Sequence, residues 1–152
     1  MAALTELKGQ ELGTQRVEIE RGPVKVFAAA VKAADAAYGT DDAPVPPTYP
    51  FSWAFHGSRG ESSVTGLPIE RLRGKGRMIL HGEQEFVYHR WPKVGDLLDG
   101  KGRISDVYER ERSNGGLMEF YVTDTEWTDA VTGEPVATAR FTLIVNVAPP
   151  KD

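Results

Sequence analysis

The sequence contains no cysteine. That removes thiol nucleophiles, CxxC metal sites and disulfides in one step, and it fits a reducing compartment such as the cytoplasm. Long apolar runs are also missing. No stretch approaches the roughly 20 residues that cross a bilayer, and the polar start of the chain lacks the apolar centre of a signal peptide. Basic charge is in deficit, with 18 Lys and Arg against 22 Asp and Glu and a net charge of -4. Nucleic-acid-binding domains usually carry the opposite balance, so neither a nucleic acid nor a membrane is expected as a partner. No G-x-S-x-G elbow, no HExxH and no N-x-[ST] sequon occurs, and no internal repeat is visible.

What remains describes one folded domain. The chain has 152 residues, 40% hydrophobic and 26% charged, enough for a single core. Residues 1–15 read as a loosely attached arm, and Val17 to Glu20 as a short strand. Pro23 suits the start of a helix. Val24, Phe27, Ala28 and Val31 follow at helical spacing, and the run to Ala34 has almost no polar surface. Such a helix is expected to be nearly surrounded by protein. Asp35 to Pro50 is Pro-rich and non-helical. Residues 57–76 carry five glycines among several arginines and read as a flexible, basic insertion.

From Arg77 the pattern changes to strands: Arg77 to Trp91, Gly100 to Arg112, Leu117 to Thr128 and Val136 to Val147. In the last, apolar Ala137, Ala139, Phe141, Leu143, Val145 and Val147 alternate with the residues between them. That period of two marks an antiparallel strand. Ser113-Asn114-Gly115-Gly116 is a strong hairpin turn. One apolar helix and one long antiparallel sheet bury each other only if the sheet wraps the helix. The expected fold is therefore α+β, a hot-dog spanning residues 16–148.

Several motifs bear on chemistry. Gly95 to Gly102 nearly spells a P-loop, but Gly102 stands where Ser or Thr must reach the metal, and it leads into a strand. His81, Glu83, Glu85 and His89 share parity and would line one face of a regular strand. The two histidines would lie roughly 27 Å apart, too far to share an ion, so no metal is assigned. His81 is the best acid/base by its ordinary pKa, or else one member of a polar surface network. Gly82 within the strand suggests a bulge or a close approach. His81 and Gln84 differ in parity, so they reach one site only if that bulge exists.

The stretch Leu80 to Asp96 resembles the LHGEQ-x-F-x-YHR-P-x-x-x-GD run of MaoC-like, FAS1-type dehydratase N-terminal domains, with Trp91 as an insertion. Pro46 to Pro50 resembles that family's APPTFP lead-in, the helix followed by Asp35 its FA-x-A-x-GD segment, and Asp129 to Pro135 its D-x-x-TGE-x-V turn. The resemblance implies a dimeric hot-dog acting on acyl-CoA or acyl-carrier-protein thioesters, which are substrates rather than cofactors. The implied reaction is reversible hydration of a 2-enoyl to a 3-hydroxyacyl thioester, by an Asp and a His in GD-x-NP-x-H. Here Asp35 matches the Asp, but Ala37 and Tyr38 replace Asn and Pro, and Thr40 replaces the His.

The broken dyad favours a substrate-binding subunit that pairs with a catalytic MaoC-type subunit, as a heterodimer or within a homodimer. The alternatives are a self-sufficient hydratase using His81 and a hot-dog thioesterase. The implied site is Asp35 or His81 for proton transfer, Thr48 near the thioester, and Tyr38 and Gln84 shaping the pocket. Arg71, Arg73, Lys75 and Arg77 would meet the phosphates of CoA, or form a solvated loop.

Overall fold

The structure, a computed structural model, describes residues 4–33, 36–53 and 67–149. Its centre is one antiparallel sheet of β1 (Glu11–Glu18), β2 (Arg77–Tyr88), β3 (Leu97–Glu111), β4 (Leu117–Asp129) and β5 (Pro135–Val147). The spatial order is β1-β3-β4-β5-β2, which leaves β1 and β2 as edges. Helix α1 (Arg21–Ala30) and the turn of helix Ile69–Leu72 lie with three short 3-10 turns outside the sheet. This is the expected α+β hot-dog. Among the described residues no helix is long and apolar enough to cross a membrane.

The four long strands follow from alternation and turn chemistry. Gly115, at φ +78°, lies in the β3–β4 hairpin, which closes with the amide of Arg112 donating to the carbonyl of Gly116 at 2.8 Å. Register then sorts the side chains into two faces. Tyr88, Ala137, Trp127 and Gly100 form one row across β2, β5, β4 and β3 on the core face. Gly100 is required there, because a Cβ would lie 2.8 Å from the Trp127 ring.

Residues 4–15 are not a loose arm. Leu7 is buried, β1 begins at Glu11, and its register with β3 breaks between Glu11 and Thr14, around Gly13 at φ +85°. Tyr121 ties this region down further, its hydroxyl oxygen accepting from the amide of Leu4 at 3.2 Å.

The helix is also less enclosed than its composition suggests. Val24 and Ala28 are buried, but Val26 is 70% and Val31 48% exposed, so α1 seats one stripe on the sheet. It stops at Ala30, short of Ala34. Lys32 turns left-handed at φ +59°, and the amides of Lys32 and Ala33 donate to the carbonyls of Ala29 and Ala28. That is a Schellman stop made without glycine.

Two clusters fill the core face. One joins Val17, Ile19, Val24, Val45, Tyr49, Trp53, Leu98, Trp127, Val136 and Ala137. The other joins Leu7, Leu67, Leu72, Ile104, Val107, Tyr121, Leu143 and Val145. The described part of the expected flexible insertion therefore belongs to the core, since Leu67 and Leu72 are fully enclosed. Its residues 57–66 lie outside the described residues, as does Asp35.

Candidate functional site

Strand β2 carries the site, and a bulge decides which residues face it. His81 pairs with Leu143, Glu83 with Thr142 and Gln84 with Phe141, so Gly82 is the extra residue. A Cβ on Gly82 would lie 2.8 Å from the Ile144 side chain and 2.9 Å from the carbonyl oxygen of Thr142. Only glycine fits that approach. Opposite residues in an antiparallel pair share a face, so His81 and Gln84 both point to the core face. Glu83, Glu85 and His89 point to the other. The shared face of His81, Glu83, Glu85 and His89 expected from parity is thus divided, and the described residues contain no group of three ligands able to hold a metal.

His81 is exposed at the rim of the core face. Its ring lies 5.6 Å from Phe51, edge to face, and 4.7 Å from Phe141. Among the described residues neither ring nitrogen has a hydrogen-bond partner, and no carboxylate orients it. Gln84 donates from Nε2 to the carbonyl oxygen of Arg140 at 3.0 Å, which fixes its side chain along β5. Thr48 is exposed and begins the 3-10 turn Tyr49–Ser52, its carbonyl oxygen accepting from the amide of Phe51 at 3.2 Å. His81, Gln84 and the turn that follows Thr48 therefore meet along one rim.

Tyr38 is half-buried against the Val24–Trp53 cluster, which includes Tyr49 of the turn after Thr48. Thr40, standing where the dyad histidine would be, donates from its hydroxyl to the carbonyl of Ala37 at 3.3 Å. It closes a local turn and offers no base.

The lead-in segment is held by the end of β2. The Tyr88 hydroxyl donates to the carbonyl of Pro47 at 2.5 Å, and the Trp91 indole N–H donates to the carbonyl of Val45 at 3.0 Å. The two rings lie 4.4 Å apart. Burial pushes the Tyr88 hydroxyl up to about 12, so it stays a donor at any ordinary pH. Trp91, an insertion by sequence, is the second of these two clamps.

Arg90 ties three of the family-like motifs together in space. Its guanidinium reaches Asp96 at 2.6 Å and Asp129 at 2.8 Å. The second carboxylate oxygen of Asp129 accepts from the amides of Val131 and Thr132, and those bonds, ahead of Arg90, hold its carboxyl below the usual range. Arg90 of the Tyr-His-Arg run, Asp96 of the Gly-Asp and Asp129 of the Asp-x-x-Thr-Gly turn thus form one ion-paired scaffold.

In the basic loop Arg71, Arg73 and Lys75 are exposed, and Arg77 alone is withdrawn from solvent. Arg71 pairs with Glu6 at 2.8 Å, and Arg73 approaches Glu70 at 3.7 Å. Arg77 is 6% exposed against a fully buried Glu119. Sequence reasoning missed Phe51 and Phe141 as the neighbours of His81. The only signal was their aromatic character, which core residues share.

Comparison with known proteins agrees with this fold. The chain matches the family described as "FAS1-like, dehydratase domain region" over residues 6–139. It is 32% identical over 145 residues to a UPF0336 protein of Saccharopolyspora erythraea, covering 88% of this chain and 84% of that one. Its fold is similar to the truncated HadBC (3R-hydroxyacyl-ACP dehydratase) complex of Mycobacterium tuberculosis, with TM-score 0.67, 24% identity, and 91% and 96% coverage of the two chains. It is also similar to a MaoC-like dehydratase of Phytophthora capsici, with TM-score 0.68 and 19% identity, over 97% of this chain and 51% of that one.

Proposed function

The chain belongs to the family of FAS1-like dehydratase domain regions, and on that premise we propose that it is the substrate-binding subunit of an acyl-thioester hydratase or dehydratase. Hydration adds a water oxygen to C3 of a 2-enoyl thioester and a proton to C2. Both steps need a positioned acid/base, normally an imidazole oriented by a carboxylate. The observation that carries the reading is the isolation of His81. Its neighbours are Phe51 and Phe141, and no described carboxylate orients it. Thr40 spends its hydroxyl on its own turn.

Such a rim suits binding. Phe141 and Phe86 offer apolar surface to an acyl chain from the sheet, and Phe51 adds to it from the turn after Thr48. The catalytic pair then comes from a second hot-dog docked beside the exposed edge of β2. The similar mycobacterial fold is described as a HadBC complex, which supports a partner subunit here.

The test follows loss of conjugated thioester absorbance with a trans-2-enoyl-CoA. The purified chain alone is expected to bind the thioester and give no turnover. Addition of a dyad-bearing hot-dog subunit restores hydration. Turnover by the chain alone that disappears in His81→Ala would replace this reading with a self-sufficient hydratase. Release of free CoA thiol would replace it with a thioesterase.

A further inference from the structure

The outer face of the sheet, turned away from the helices, has a pattern that the catalytic reading does not use. Across β2, β5, β4 and β3, register aligns Leu80, Ile144, Phe120 and Tyr108 in one row. That is four apolar side chains where a solvent face usually alternates polar residues. Leu80 is 38% exposed, and Met78 beside it 53%. Tyr108 and Phe120 stack at 4.6 Å with the Arg110 guanidinium 5.7 Å from each ring.

Two rows further along lie Glu85, Arg140, Asp124 and Arg103, in that order. The signs run minus, plus, minus, plus. Arg140 holds Asp124 at 2.7 Å, and Arg103 reaches the same carboxylate at 3.9 Å. Two exposed cations therefore share one buried acid, and both retain unused donors. Glu85 is exposed at the end of the row.

Reversing this row end for end turns every sign into its opposite. A two-fold axis parallel to the strands, between β4 and β5, does that when two copies meet outer face to outer face. Glu85 of one copy then faces Arg103 of the other, and Arg140 faces Asp124. The apolar row reverses onto itself, so Leu80 faces Tyr108 and Ile144 faces Phe120. We propose that this face is a docking surface for a second copy of the chain, related by that axis and packed as aligned sheets.

The area agrees with the pattern. The 13 residues of β5, at ~3.4 Å each, and four strands at ~4.8 Å make a face of roughly 800 Å². A standard specific interface buries about that much on each partner. The edge of β2 stays open in this arrangement, so it is compatible with a catalytic partner there and independent of that reading.

Sedimentation velocity on the purified full chain tests it. Glu85→Lys sets Lys against Arg103 of the other copy, and Arg103→Glu sets Glu against Glu85. Each is expected to weaken the association by roughly a hundredfold and to halve the mass of the assembly. The double variant restores the wild-type mass, because the row is then antisymmetric again with these two signs exchanged. Circular dichroism of each variant should match wild type, since both positions are solvent-facing. A wild-type chain that is monomeric overturns the proposal. So do single variants that leave the mass unchanged, or a double variant that fails to restore it.

Discussion

Beneath α1 the core face is closed by rings. Trp53 lies 4.8 Å from Trp127, and Tyr49 meets Phe27 at 5.3 Å. At the other end it is closed by charge. Both guanidinium nitrogens of Arg77 reach the Glu119 carboxylate, Nε donates to the carbonyl of Leu72, and the Tyr121 hydroxyl donates to Glu119 at 2.6 Å. The aromatic end is nearly dry of polar atoms and leaves one indole N–H, that of Trp53, without a partner among the described residues. The charged end leaves no side-chain polar atom unsatisfied there. Packing by rings tolerates one orphan donor, because a single indole N–H costs little beside the area those rings bury. Packing by charge tolerates none, because an unpaired buried ion costs several kcal/mol.

The largest effect expected from this contrast is at the charged end. Glu119→Ala strands Arg77 and should lower stability by about 3–5 kcal/mol in urea denaturation. Arg77→Met combined with Glu119→Leu should recover most of that loss, since an apolar pair of similar volume needs no partner. If the double variant is no better than the single, the ion pair supplies more than mutual compensation. The aromatic end should respond less. Gly100→Ala pushes a methyl into the Trp127 ring, which Trp53 backs, and overpacking of that kind costs about 1–3 kcal/mol. An unchanged urea midpoint would mean that the two rings can slide.

The smallest expected effect is alkaline. Burial, then the bond to Glu119, pushes the Tyr121 hydroxyl up to about 12. The unfolded value is about 10. The folded chain thus holds the proton more tightly. This stabilisation is complete below about pH 10 and is lost as pH rises toward 12. Tyr121→Phe should flatten the slope of stability over that window, and only in part, because Tyr88 is raised in the same way. A slope unaltered by Tyr121→Phe would locate the alkaline sensitivity elsewhere.

The sheet was legible because β3, β4 and β5 bury one face against the core and are joined by turns with their own chemistry. The first strand was legible only at its end, where Val17 and Glu18 fall within the expected Val17 to Glu20 strand. Glu11, Thr14, Arg16 and Glu18 dominate it, and an edge strand with both faces partly wet has no reason to alternate apolar residues. The helix misled in the other direction, since alanine is equally at home on a buried or an open helix face. Of the candidate site, His81 and Gln84 were legible as a pair only on the condition of a bulge at Gly82, and the register supplies it. The link from Arg90 to Asp129 spans 39 positions, and nothing local announces it.

Gly82 also sets a reading frame for polarity. Upstream of it the odd-numbered residues of β2 face the core, and downstream the even-numbered ones do. Were Gly82 paired in a regular ladder instead of bulged, the same letters would turn Glu83 and Glu85 inward and Gln84, Phe86 and Tyr88 outward. An apolar wall beside His81 would become an acidic one, and Pro47 would lose the hydroxyl that holds it. Sequences of this kind can thus exchange a binding rim for a charged one by gaining or losing a bulge, with no change in composition.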